Sequence, residues 1–132
     1  MTCVSGYMTV ILKEKHNIPA EVLPNIVNTK AFRGAKKPKD PAHFRLTTVS
    51  ALRPGKCVED ALQALKLLRE QHPEKSFLYT IVVDGQEEAF YKQTASELGL
   101  NDIVSFVGRK TESEIAEILS QTDALLMASD IE

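Results

Sequence analysis

Apolar and polar residues change period along this chain, and the order of those changes predicts its architecture. His43-Phe44-Arg45-Leu46-Thr47-Thr48-Val49 is short, apolar and β-branched, and predicts a strand. Val58, Ala61, Leu62, Leu65 and Leu68 then recur at helical spacing, which predicts a helix from about Val58 to Gln71, stopped by Pro73. Phe77 to Val83 is a nearly continuous apolar run, the pattern of a parallel strand covered on both faces. Asp84-Gly85 turns into a helix from about Glu87 to Leu98, closed by Gly99. Ile103 to Val107 is the next strand. Thr111-Glu112-Ser113-Glu114 is a capping box that opens a helix carrying Ile115, Ile118 and Leu119 inward. Asp123 and Ala124 to Met127 make the last strand. Strands and helices alternating at this spacing predict an α/β fold with a doubly wound parallel sheet and right-handed crossovers.

The first forty residues are less regular. Tyr7, Val10 and Ile11, extended by Glu14, predict a helix from about Ser5 to Lys15 with Ser5 as its cap. Glu21 to Leu23 reads as a short strand closed by Pro24-Asn25, and Gly34 to Pro41 as a polar loop whose lysines form a solvated linker.

At 132 residues the chain makes one domain or part of a larger protein. A net charge of −2 argues against nucleic-acid wrapping or an anionic-membrane patch. No apolar run approaches the roughly 20 residues of a membrane span, and the first residues lack a secretory pattern. Two cysteines, Cys3 and Cys57, are too few for a disulfide framework and fit a reducing, cytoplasmic setting. His16, His43 and His72 share no ligand spacing, so no metal site is expected. The chain has no D-x-D pair, and no G-x-G-x-x-G follows a strand. The start at Met1-Thr2-Cys3 and the stop just after Ala124 to Met127 read as the ends of a fragment.

The segment with chemistry in it is Ser50-Ala51-Leu52-Arg53-Pro54-Gly55-Lys56, a strand-to-helix loop with one glycine and two cations. In an open parallel sheet such a loop lies at the carboxyl end of its strand, where ligands bind. A helix start favours phosphate, and Lys56 stands at its mouth. Gly55 would let the backbone come close to a ligand. The plainer reading of Lys56 is a solvated cation complementing Glu59 or Asp60, and that of Arg53 a stem covering the sheet's end. Cys57 beside the helix start could carry thiolate character or be a small buried filler.

Several motifs, in order, resemble one family. Pro24-Asn25-Ile26-Val27-Asn28-Thr29-Lys30-Ala31-Phe32 is similar to P-N-G-V-D-x-x-x-F. Ile81-Val82-Val83-Asp84-Gly85-Gln86 is similar to I-V-G-D-G-P, and Val104-Ser105-Phe106-Val107-Gly108-Arg109 to V-x-F-x-G-x. Asp123 to Glu132 resembles the run into an E-x7-E motif. Together they resemble family 4 (group 1) of the retaining glycosyltransferases with the GT-B fold.

The resemblance implies the C-terminal, Rossmann-like donor-binding domain, truncated at its C-terminus. Residues 1–20 would be the tail of the N-terminal domain and crossover, and 21–132 the partial nucleotide-sugar domain. The implied activity is transfer of a sugar from a nucleotide-diphosphate donor, UDP- or GDP-linked, to an acceptor hydroxyl, with no metal and no cofactor. Lys56 and Arg53 would neutralise the departing diphosphate. Ser50, Gly55, Asp84 and Gly85 would line the nucleotide pocket, Gly108 and Arg109 would contact the base, and Glu132 would hold the donor's hydroxyls. Asp84-Gly85 also reads as a plain turn pair, Gly108-Arg109 as a tight loop, and Glu132 as a frayed end.

Three positions depart from the family pattern: Ala51 stands where Arg is common, and Val83 and Cys57 where Gly is common. The second Glu of the motif falls past residue 132. The acceptor is not readable, no nucleic-acid partner is expected, and membrane association could come only through parts outside this chain. The fragment alone would not turn over. A non-catalytic α/β module and an epimerase fragment stay open as alternatives.

Overall fold

The two strongest strand patterns form the longest pairing in the molecule. In the computed structural model, which describes residues 1–33, 40–82 and 85–130, β3 (His43–Val49) lies parallel to β4 (Ser76–Val82) in unbroken register from His43↔Ser76 to Val49↔Val82. β4 pairs with β5 (Val104–Phe106), and β3 with β6 (Ala124–Leu125), again in parallel. The order of the four-stranded sheet is β5-β4-β3-β6. The chain thus steps outward from β3 to β5 and returns to place β6 on the other side of β3. That reversal, between β3 and β6, is the switch point of an open α/β sheet.

Helices α2 (Val58–Gln71), α3 (Glu88–Glu97) and α4 (Glu112–Ser120) connect these strands. The bounds of β3 and α2 coincide with the sequence pattern, and the other elements shift by a residue or two at their ends. Leu62 and Leu65 of α2 and Tyr91 and Ala95 of α3 pack on the sheet face made by Leu46, Phe77, Tyr79, Ile81 and Val104. Each fully buried Leu or Ile there contributes about 1.5–3 kcal/mol relative to exposure.

Coverage on both faces of β4 was expected, and the second face corrects that. Among the described residues, Leu78 and Thr80 of β4 are only half-buried. With Arg45, Thr47, Ser105 and Ile118 they line a groove of about 350 Å³ beside α4. Ile115, Ile118 and Leu119 turn inward as expected but are half-buried, so α4 contributes no fully buried side chain.

A separate two-stranded sheet precedes this. β1 (Thr2–Cys3) pairs in parallel with β2 (Glu21–Val22), and α1 (Gly6–His16) crosses between them. Ser5 caps α1 as predicted, its Oγ accepting from the Met8 N–H at 3.3 Å. Tyr7 and Val10 lie in the helix they predicted but face no core here: Tyr7 is 76% exposed and Val10 49%. No residue of α1 is buried. The linker calling for a solvated loop, 34–41, lies largely outside the described residues.

Candidate functional site

The loops after β3 and β6 meet above the switch point. Leu126 continues β6 by donating its N–H to the Thr47 carbonyl at 2.8 Å. Four residues on, the Asp130 N–H donates to the Gly55 carbonyl at 3.1 Å. Gly55 adopts φ +84°, a left-handed conformation that favours glycine, and a Cβ built there would meet nothing. The surface over Gly55 is therefore open enough for a ligand to approach the backbone.

Around that glycine the loop is anchored from below. Leu52, apolar in the middle of a polar loop, is fully buried. Its carbonyl accepts from the Glu87 N–H at 3.2 Å, which ties the loop after β3 to the start of α3. Gly85 lies directly against the Leu52 backbone, so close that a Cβ would overlap the Leu52 carbonyl. Packing between two loops thus requires a glycine here, and Gly85 also opens the turn into α3, its carbonyl accepting from the Glu88 N–H at 3.2 Å. The other anchor is Tyr91, whose phenol donates to Glu87 Oε2. Its burial, then the neighbouring carboxylates of Glu87 and Glu59, push the phenol pKa far up.

The remaining predicted residues divide by position. Arg53 is exposed and Lys56 half-buried, both on the loop that carries Gly55. The Ser50 N–H donates to the Val82 carbonyl at 3.3 Å, and its hydroxyl to the Ala51 carbonyl at 3.3 Å. Gly108 and Arg109 follow β5, two strands away from the switch point, where the Val107 N–H extends the ladder to the Ile81 carbonyl at 3.0 Å. Asp84 and Glu132 lie outside the described residues.

Cys57 resolves between its two readings. It is buried and forms the start of α2 at φ +47° with no side-chain cap. Desolvation, followed by the Asp130 side chain, raises its thiol pKa, which together with its burial fits a small filler rather than a thiolate. The left-handed backbone there explains why a glycine suits the position. Cys3 and Cys57 are both free.

Electrostatically the helix start is mixed. Glu59 and Asp60 occupy the first turn of α2 and offset part of the positive end of its dipole. Anion binding at this loop would therefore depend on the two cations more than on the helix. A second cleft, about 440 Å³ and lined by Asp40, His43, Phe44, Glu74 and Asp123, sits at the amino end of β3. The His43–Asp40 pair at 2.9 Å lies in its wall, at the end of the sheet opposite the loops described above. Among the described residues no group of three His, Cys, Asp or Glu side chains could hold a metal ion. No described helix is long and apolar enough to cross a membrane.

Asp130, Leu52 and Glu87 were not anticipated. Leu52 carried a signal, an apolar residue inside a polar loop. The Asp130–Gly55 bond joins residues 75 positions apart and leaves no trace in local pattern.

Comparisons with known proteins bear on this site. A curated relative, the amylovoran biosynthesis glycosyltransferase AmsK of Erwinia amylovora, is 33% identical over 95 residues, covering 70% of this chain and 23% of that protein. Among solved structures, the pneumococcal O-GlcNAc transferase GtfA, determined in complex with UDP and GlcNAc, superposes with a TM-score of 0.77 at 19% identity over 97% of this chain and 25% of its own. The sucrose-phosphate synthase of Thermosynechococcus elongatus superposes with a TM-score of 0.78 at 18% identity, over 99% of this chain and 35% of its own. The chain thus spans between about a quarter and a third of the length of these relatives. At such identities the structural likenesses establish the Rossmann-like fold. The family described as glycosyl transferases group 1 matches residues 29–132, the whole four-stranded sheet included, and the chain belongs to that family.

Proposed function

We propose that this chain supplies most of the donor-binding half of a glycosyltransferase that moves a sugar from a nucleotide diphosphate to an acceptor hydroxyl. The observation that carries the reading is the junction at the switch point, where the Asp130 N–H meets the Gly55 carbonyl beside Lys56. A diphosphate lying across that junction would be within reach of both loops. Lys56 and Arg53 would stabilise the charge that develops on the departing diphosphate, as fixed cations do without reorganising. Arg53 adds a planar donor fork suited to phosphate oxygens. Gly108, Arg109 and the loop after β5 would face the base, of UDP or GDP, and the reaction would use no metal. Relatives support the donor class: GtfA was solved with UDP.

The unit formed by β1, α1 and β2 would belong to the other half of the enzyme. Because β2 pairs with β1, the division would fall after Val22, a little later than residue 20. The whole protein would act in the cytoplasm.

Titration of the chain with UDP and GDP, followed by NMR, tests this. Weak binding is expected, and Lys56→Ala should weaken it about fivefold, close to 1 kcal/mol. Equal binding by the variant would remove Lys56 from the site.

A further inference from the structure

The strand β6 is short for a strand beside a switch point. It meets β3 over only two residue pairs, Leu46↔Ala124 and Thr47↔Leu125. Side-chain hydrogen bonds supplement that ladder. On one face, Thr47 Oγ1 lies 2.8 Å from Thr122 Oγ1, and along the edge the backbone Arg45 N–H donates to Asp123 Oδ2 at 2.9 Å. On the other, inside the core, Thr48 Oγ1 lies 2.7 Å from the Tyr79 phenol and donates to the Leu126 carbonyl at 2.9 Å.

The direction of this second set follows from proton counting. A carbonyl can only accept, and Thr48 has one hydroxyl proton, so that proton goes to Leu126. The Tyr79 phenol must then donate to Thr48. The relay runs from β4 through β3 to the residue that leaves β6. Tyr79 is 1% exposed, and burial holds its phenol protonated, with its pKa raised. Leu126 is gripped twice, since its N–H also donates to Thr47. Beyond it the chain runs to Asp130 and its bond with Gly55.

We propose that Tyr79 and Thr48 are positioning residues for the donor crevice, holding the segment that leaves β6 at its distance from the Gly55–Lys56 loop. Neither touches the ligand; they act through Leu126. This rests on the donor reading above. Local sequence gives no reason for a threonine facing a tyrosine across two neighbouring strands, whereas a buried relay aimed at one carbonyl does. Its loss would leave a half-buried Leu126 carbonyl and a phenol in the core short of a partner, and an unmade buried bond is costly.

Three variants of the 132-residue chain test the proposal: Thr48→Val, Tyr79→Phe and Thr48→Ser. Amide hydrogen exchange reports the segment directly, and a UDP titration reports the crevice. In Thr48→Val the Leu126 and Asp130 amides should exchange about tenfold faster, with those of Leu46 and Ile81 at parental rates, and UDP binding should weaken at least threefold. Tyr79→Phe, which keeps the Thr48–Leu126 bond, should show a smaller change of the same kind and guards against misfolding of the first variant. Thr48→Ser restores the hydroxyl and should restore both readouts. Parental exchange in Thr48→Val, a serine variant that behaves like valine, or faster exchange with unchanged UDP affinity would each overturn the positioning role. If the exchange pattern appears but the parental chain binds neither UDP nor GDP, the donor reading fails, and the relay is a structural clasp only.

Discussion

Helices α1 and α2 make an instructive pair. α1 has the better ends: a serine cap bonded to Met8, an asparagine in the left-handed conformation closing it, and Lys13, Lys15 and His16 against its negative end. Yet it buries nothing in this chain. α2 begins on a strained cysteine with no side-chain cap, but buries Val58, Ala61, Leu62 and Leu65. End signals place a helix in the sequence; packing of its apolar stripe makes it stable. The two contributions are separable, and here they have been separated between two helices.

Truncation in each helix is the strongest way to break that comparison. Leu62→Ala should lower the stability of the four-stranded sheet by about 2–5 kcal/mol, read from the urea midpoint. Leu12→Ala, at a half-buried position of α1, should move the same midpoint by less than about 0.5 kcal/mol. Equal effects would mean that α1 shares the core after all.

Loop packing is the next test. Gly85→Ala should cost about 1–3 kcal/mol, because the new methyl overlaps the Leu52 carbonyl and one of two loops must move. Gly55→Ala meets no atom and carries only the strain of its positive φ, so the ratio of the two separates crowding from backbone conformation.

The smallest effect sharpens the point with a third helix. α4 has a complete capping box and, like α1, no fully buried residue. The Thr111 N–H, then its hydroxyl, holds the Glu114 carboxyl below its ordinary value of 4.5. A depressed folded pKa means that the cap's contribution is full above the ordinary carboxylate range and is lost as pH falls through the folded value. The Thr111 amide shift should therefore titrate with a midpoint below 4.5, and Thr111→Ala should move the Glu114 midpoint up. Melting of the sheet should barely respond.

The same division explains what could be read from the sequence. β3 and α2 were legible to the residue because a short apolar, β-branched run and a helical pattern adjoin there across a loop with distinct chemistry. The capping box of Thr111 and Glu114 was legible because both partners lie three residues apart. β1 was not, whereas β2, equally short, was marked by the Pro24-Asn25 that follows it. The apolar Tyr7 and Val10 were read correctly as helical, but an apolar stripe does not say whether a partner is present. Of the site, the loop that carries Arg53, Gly55 and Lys56 was found from local features. Its contact with Asp130, its support by Leu52 and Glu87, and the conformation of Cys57 depend on residues distant in the chain, for which no local pattern exists. Gly85 was legible as a turn glycine, and it does open the turn to Glu88, but its close contact with the Leu52 backbone leaves no sign in one dimension.

One feature of the strand order bears on solubility. The two seven-residue strands are central, and both margins of the sheet are formed by strands of three and two residues. Among the described residues, β6 covers only Leu46 and Thr47 of β3, and β5 only Tyr79 to Ile81 of β4, so the ends of both long strands have no strand beside them on that side, the kind of edge that can template an added strand. The Asp123 carboxylate, which accepts from the Arg45 N–H at 2.9 Å, covers part of that border beyond the end of β6.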